Sequence, residues 1–271
     1  MQAAVLGSPV SHSLSPVLHN AAYRALGLDH TYSAIETAES ELGSFLGSVD
    51  SNWLGVSLTM PLKEVAFDYA DTCDELSTLT GAINTLVFGS EVSAFNTDVL
   101  GLVDALVEAG SKQISTGVVF GSGATARSTL VALQRLGATE VNCVARNVSD
   151  VERMAKIAQE IGVNFSHTSV SDSAWLTADV VVNTTPMGAL DELAREVYSP
   201  AGLLLDVVYN PWPTQLAASW AVTGGTIVSG LAMLLHQAGH QVTLMTGKPA
   251  PVAQMREALN AELLARGLST I

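Results

Sequence analysis

Basic side chains are scarce in this chain. Lys and Arg number 12 against 26 Asp and Glu, a formal net charge of −14. That excess argues against nucleic acid or an anionic membrane as a partner. No apolar run approaches the length of a membrane span. The start Met1-Gln2-Ala3-Ala4-Val5-Leu6 has neither the basic residues nor the apolar stretch of a signal peptide. Cys73 and Cys143 are the only cysteines, too few to staple a chain of this size, so reduced structural thiols in a cytoplasmic protein are expected. The 6 histidines are scattered, with no His-Glu-x-x-His and no Cys/His cluster, and no metal site is expected. The Gly-x-Ser-x-Gly elbow of a serine hydrolase is missing too. What is present is 271 residues, 48% hydrophobic and 14% charged, the composition of a compact globule with one large or two modest cores.

Strand-like and helix-like segments alternate from the start. Strands are expected at 2–6, 31–36, 54–59 and 84–88, and helices at 16–26, 42–49 and 62–69. This alternation predicts an α/β layer with a mostly parallel sheet. From Asp98 a helical period (Val99, Leu102, Val103, Leu106, Val107) runs to Gly110 and predicts a connector helix. Further strands are expected at 118–120, 140–145, 179–183, 203–208 and 226–228, a doubly wound nucleotide domain over 103–230. The tail reads as helices at 231–244 and 252–264 that pack back on the first domain. The expected fold class is therefore two α/β domains: residues 1–102 with 231–271 for substrate, and 103–230 for a nucleotide, with the ligand cleft between them.

The nucleotide reading rests on Gly121-Ser122-Gly123-Ala124-Thr125-Ala126-Arg127. A strand that enters a helix through a Gly-x-Gly turn aims backbone N–H groups and the positive helix end at one point, which suits a pyrophosphate. The next strand ends in Arg146, where the ribose-reading residue falls. An arginine there either meets a 2′-phosphate, hence NADP, or is a plain surface residue.

Elsewhere, Ser13 and Ser15-Pro16 are read as two hydroxyls on one side of an extended segment before a helix, placed for a carboxylate, or as a cap alone. In the first 111 residues the only cationic side chains are Arg24 and Lys63. Lys63 is expected at a helix start, where the macrodipole disfavours a cation; it is either a desolvated amine for proton transfer or a solvated lysine. Asp98 either caps the connector helix or sits at the cleft mouth, paired with Lys63. Asn84, at a buried strand start, needs a polar partner. Gln237 interrupts an apolar run as an exposed position or a ligand contact.

Taken in order, these stretches resemble the shikimate dehydrogenase family. The carrying motifs are Ser13-x-Ser15-Pro16, Thr59-x-Pro61-x-Lys63, Gly81-Ala82-Ile83-Asn84-Thr85, Asn96-Thr97-Asp98, the glycine turn, Asn183-Thr184-Thr185-Pro186-x-Gly188, Asp206-Val207-Val208-Tyr209-Asn210-Pro211 and Gly230-Leu231-x-Met233-Leu234-Leu235-x-Gln237. The resemblance implies NADP-linked, reversible interconversion of 3-dehydroshikimate and shikimate by a monomer or homodimer. It implies that Ser13 and Ser15 bind the substrate carboxylate, that Thr59, Asn84, Asp98 and Gln237 hold ring hydroxyls with Tyr209 nearby, and that Lys63 and Asp98 are the acid–base pair. For the cofactor it implies Gly121, Ser122, Gly123, Ala124, Thr125, Arg127, Arg146, Asn147, Val207 and Gly230.

Departures from the family pattern are Ser57 for asparagine, Val99 for glycine, Ser122 for alanine, and Asp150 where a second basic residue is usual. NADP preference is expected to persist but to weaken. The rival readings are an NAD-dependent quinate/shikimate dehydrogenase, a methylene-tetrahydrofolate dehydrogenase, which leaves the serine turn and Gln237 unexplained, and a non-catalytic NADP-binding sensor.

Overall fold

The computed structural model describes residues 1–111, 113–168 and 173–271. The chain divides into two compact units, Met1–Gly101 with Leu234–Ile271, and Leu102–Met233.

The first unit opens with β1 (Gln2–Gly7), α1 (Ser15–Ala25), β2 (Thr31–Glu36), α2 (Leu42–Gly47) and β3 (Trp53–Leu58). Then come β4 (Thr72–Cys73), α3 (Glu75–Thr80), β5 (Thr85–Phe88), β6 (Val92–Phe95) and the start of α4 (Asp98–Glu108). Strand order in its six-stranded sheet is β2-β1-β3-β5-β6-β4. β1 lies parallel to β2 and β3 and is apolar and buried from Ala3 onward because both its faces are covered. Ala4 and Leu6 join the core of Val56, Leu58, Leu62, Ile83 and Leu86. Ala3 and Val5 face the other way, to Tyr23, Tyr32 and Met245.

The sheet is parallel in three of its five pairings, in line with the mostly parallel sheet expected, but not in all. β5 pairs antiparallel with both β3 and β6. Thr85–Phe95 is a hairpin turning at Gly89-Ser90, a signal present in the sequence but carried by strands only four residues long. α3, capped by Asp74, which accepts from the Ser77 N–H at 2.7 Å, was likewise not anticipated. The helix expected over 62–69 is a turn followed by a short 3₁₀ segment, Val65–Tyr69. Leu62, Val65, Ala66, Phe67 and Ala70 enter or border the core, while Glu64, Asp68 and Tyr69 are exposed.

The second unit holds β7 (Thr116–Phe120), α5 (Ala124–Arg135), β8 (Glu140–Val144), α6 (Val148–Glu160), β9 (Asn164–Thr168) and β10 (Val180–Asn183). β11 (Leu203–Asp206), α7 (Gln215–Val222) and β12 (Thr226–Ser229) complete it. The sheet order is β12-β11-β10-β7-β8-β9, parallel throughout. This is the doubly wound order with its switch point between β7 and β10. Phe120, Trp175, Val181, Leu204 and Trp220 fill one face. The tail is α8 (Gly230–Thr246) and α9 (Val252–Ala265), and α9 packs on α1 within the first unit. No helix among the described residues is long and apolar enough to cross a membrane.

Candidate active site

In the first unit, Lys63 follows β3 in a turn whose carbonyl accepts from the Ile83 N–H at 2.8 Å. Its Nζ donates to Asp98 Oδ2. The Lys63 side chain keeps 15% of its surface exposed and that of Asp98 only 5%. Asp98 does not cap α4. The Thr97 carbonyl accepts the first helical bond, from Gly101 N–H at 2.9 Å. Asp98 is the first helical residue, its own N–H held by Asn96 Oδ1 at 3.0 Å. Its carboxylate is thereby left to its partners. Asn84 Nδ2 donates to Asp98 Oδ1 at 2.7 Å and to Thr97 Oγ1 at 2.9 Å. Asn84 Oδ1 accepts from the Thr97 N–H at 2.9 Å and from Thr85 Oγ1 at 2.8 Å. Asn84, Thr97 and Asp98 are all buried; a buried ion pair holds only where its remaining lone pairs are met, as they are here.

Gln237 joins this cluster from α8: its Oε1 lies 3.4 Å from Asn84 Nδ2, and its Nε2 donates to the Leu234 carbonyl at 3.0 Å. It is buried, not exposed. Gly101 allows this contact, because a Cβ there would lie 2.7 Å from Gln237 Cβ and 2.8 Å from its backbone N. Thr59 directly follows β3, its N–H on the Leu6 carbonyl at 2.9 Å. Ser13 and Ser15 do not lie on extended chain. Leu14 has helical dihedrals and Ser15 begins α1, so it is not the N-cap; Ser13 Oγ accepts from the Ser15 N–H at 3.2 Å. Ser15 is buried and Ser13 half-buried.

Two departures find local accounts. Val99 is fully buried. Ser57 is buried in a polar chain that sequence reasoning missed: Tyr32 Oη donates to Ser57 Oγ at 2.6 Å, and Ser57 donates to Gln241 Oε1 at 2.8 Å. His19 lies 3.2 Å from the same oxygen and stacks on Tyr32 with ring centroids 3.9 Å apart. Burial lowers the His19 pKa to about 3, against the pull of its bond to Gln241, and raises that of Tyr32. The available signal was spacing: Gln241 is four residues after Gln237, hence on the same helix face.

In the second unit, Gly121 has φ of +103° and its absent Cβ would meet Thr184 Oγ1 at 2.5 Å, so only glycine fits. Gly123 is the N-cap of α5 and, being glycine, has no side chain with which to cap it. Ser122 and Arg127 are buried, and Ala124 and Thr125 half-buried. A glycine turn that leads into a helix start fits a pyrophosphate. Arg146 is exposed just beyond β8. Asn147 has a structural duty as the α6 cap, accepting from Ser149 N–H at 3.2 Å and donating to Asp150 at 2.6 Å.

Asn183 and Thr214 donate to Asp206 at 3.0 and 2.7 Å, as does the Val208 N–H at 3.1 Å. Burial nevertheless raises the Asp206 pKa. This knot fixes the loop that carries Val207 and the half-buried Tyr209, so Tyr209 belongs to the second unit, apart in the chain from the other expected substrate residues. Gly230 opens α8 directly against the Val207 carbonyl. Among the described residues no group of His, Cys, Asp and Glu is arranged to hold a metal.

Residues 5–86 match the shikimate dehydrogenase substrate binding domain, and 230–259 the shikimate 5′-dehydrogenase C-terminal domain. Residues 115–210 match a family described as NADP oxidoreductase, coenzyme F420-dependent. The shikimate dehydrogenase (NADP(+)) of Methanopyrus kandleri is 34% identical over 94% of this chain and 93% of its own length. The crystal structure of Mycobacterium tuberculosis shikimate dehydrogenase is 42% identical, with a TM-score of 0.90 over 96% of this chain and 99% of that one. The Thermus thermophilus shikimate 5-dehydrogenase in complex with NADP(H) and shikimate is 31% identical, with a TM-score of 0.85 over 96% and 99%. With similarity at this level along nearly the whole chain, the protein belongs to the shikimate dehydrogenase family.

Proposed function

We propose that this protein is an NADP-dependent shikimate dehydrogenase that reduces 3-dehydroshikimate reversibly to shikimate, with Lys63 and Asp98 as its acid–base pair. The observation that carries the reading is the bond from Lys63 Nζ to a buried Asp98 whose other oxygen is held by Asn84. NADP, when bound, supplies or accepts the hydride. The protein must then manage one proton and fix one hydroxyl-rich anion. In the oxidative direction, Lys63 Nζ takes the proton of the reacting hydroxyl as the carbonyl forms; in reduction it returns that proton. Asp98 holds the amine in place and offsets its charge. Thr59, Asn84 and Gln237 supply neutral donors and acceptors for ring hydroxyls, and Ser13 and Ser15 meet the carboxylate. Tyr209 is assigned to the same ligand from its own loop.

The glycine turn Gly121–Thr125 with Arg127, Val207 and Gly230 would hold the dinucleotide. Exposed Arg146 supports recognition of a 2′-phosphate, while Asn147, already committed as a cap, contributes through its backbone. Free Cys73 and Cys143 suit the reducing cytoplasm, where we place the protein. The test is a grid of initial rates with shikimate and quinate, each with NADP⁺ and NAD⁺. A dominant shikimate–NADP⁺ rate is expected. A dominant quinate or NAD⁺ rate reassigns the substrate or cofactor, and no rate in any cell removes the catalytic reading.

A further inference from the structure

Gln241 is only 1% exposed, yet an amide buried on the inner face of a helix is costly unless every polar atom is met. Here all are met. Gln241 Nε2 donates to the Asn84 carbonyl at 3.2 Å and to Thr85 Oγ1 at 3.0 Å. Because a carbonyl only accepts, this fixes which end of the amide is the NH₂. Oε1 is therefore the acceptor, taken by Ser57 at 2.8 Å and His19 at 3.2 Å. His19 must then carry its proton on Nε2, and its Nδ1 finds no partner among the described residues.

The consequence lies at Asn84. Its carbonyl is held twice, by Gln241 and by the Leu58 N–H at 2.8 Å. Its side-chain oxygen is held by the Thr97 N–H at 2.9 Å and by Thr85, whose own hydroxyl is oriented by Gln241. With its oxygen side fixed, the Asn84 amide turns its NH₂ to Asp98 Oδ1 at 2.7 Å and to Thr97 Oγ1 at 2.9 Å. That leaves Oδ2 for Lys63.

We infer that Gln241 is a positioning residue for proton transfer: acting through Thr85 and Asn84, it sets the orientation of the Asp98 carboxylate that holds Lys63. This rests on the acid–base reading proposed above. Gln241 touches neither Asp98 nor Lys63, so its effect is geometric. Buried amide networks of this kind act as a unit, and their loss is felt at the far end.

The experiment uses the full chain and four single variants, Gln241→Met, Thr85→Val, Thr85→Ser and Lys63→Ala. Each is measured for kcat and KM with shikimate and NADP⁺, and for Tm, with kcat normalised to the folded fraction. Gln241→Met keeps volume and helix propensity but removes all four bonds. It should lower kcat about tenfold to a hundredfold, the scale of a misplaced catalytic group, with KM for NADP⁺ little changed. Thr85→Val cuts the same link and should lower kcat similarly, whereas Thr85→Ser, which keeps the hydroxyl, recovers most of that loss. The Gln241→Met/Thr85→Val double variant should be no slower than the worse single one, since both remove one connection.

If Gln241→Met and Thr85→Val both keep kcat within about twofold of wild type, whatever their Tm, Gln241 only packs and the inference fails. If Gln241→Met does not fold, the Thr85 pair decides alone. Loss of kcat in Lys63→Ala with no loss in the others overturns this inference and leaves the acid–base reading standing. Retained kcat in Lys63→Ala removes that reading and this one with it.

Discussion

At the scale of single residues, the proposed site joins a half-buried Lys63 to buried Asp98 and Asn84. Lys63→Ala removes the amine that meets Asp98 and should lower kcat by about 10²- to 10⁴-fold, the range for a general acid or base. KM for shikimate should change little; if KM alone moves, Lys63 binds but does not transfer a proton. Arg146 is exposed beyond β8, and Asp150, where a basic helper is usual, is tied to Asn147. Arg146→Leu should therefore raise KM for NADP⁺ about tenfold or more, the worth of a bond to a charged group. KM for NAD⁺ should stay as it was. Equal effects on both cofactors would remove the 2′-phosphate from the account of Arg146.

At the scale of elements, the glycine turn between β7 and α5 depends on one backbone position. Gly121→Ala introduces a methyl at a left-handed φ and drives it to within 2.5 Å of Thr184 Oγ1. A cost of about 1–3 kcal/mol is expected, read as a lower urea midpoint together with a higher KM for NADP⁺. An unchanged midpoint would show that the turn relaxes. This turn was legible in the sequence because strand, turn and helix start are contiguous. The β5–β6 hairpin was less so, since Val92–Phe95 is too short to carry a clear alternation. The 62–69 segment misled because its apolar residues fit a helical period, yet only Val65–Tyr69 winds, and as a 3₁₀ segment. Ser15 misled in a related way: the residue before a proline is biased to extended chain, but Leu14 already turns the backbone into α1.

At the scale of the whole molecule, stability against pH follows from buried groups. His19 is neutral in the folded protein because burial lowers its pKa from 6.5 to about 3. Between those values the unfolded chain binds a proton that the folded chain refuses. The His19 contribution is thus complete above pH 6.5 and is lost as pH falls towards 3. Tyr23 and Tyr32 act at the other end: burial raises both, and stability falls as pH rises past about 10, where the unfolded tyrosines ionise. Asp206, also raised, favours the folded state only at acid pH and opposes His19 there. Urea unfolding from about pH 4 to 7 should show a steeper loss on acidification in wild type than in His19→Gln. Equal slopes would show that His19 is not the group responsible.

The sequence by itself determined what is local. Apolar β1, the glycine turn, the helical period from Asp98 and the deficit of basic residues are properties of neighbouring residues or of composition, and no long-range contact was needed to read them. It also singled out Lys63, Asn84, Asp98 and Gln237, of which Asn84 needed a polar partner and Lys63 with Asp98 was one pairing on offer. Only the tertiary structure decided who those partners are, because they lie 14 to 153 residues apart along the chain. Gln241 is the clearest case. On a helix a glutamine reads as a solvent position, and the one pointer otherwise was its four-residue spacing from Gln237. It becomes a buried hub only when α8 is laid against β3, β5 and α1, since burial is a property of packing and not of the residue.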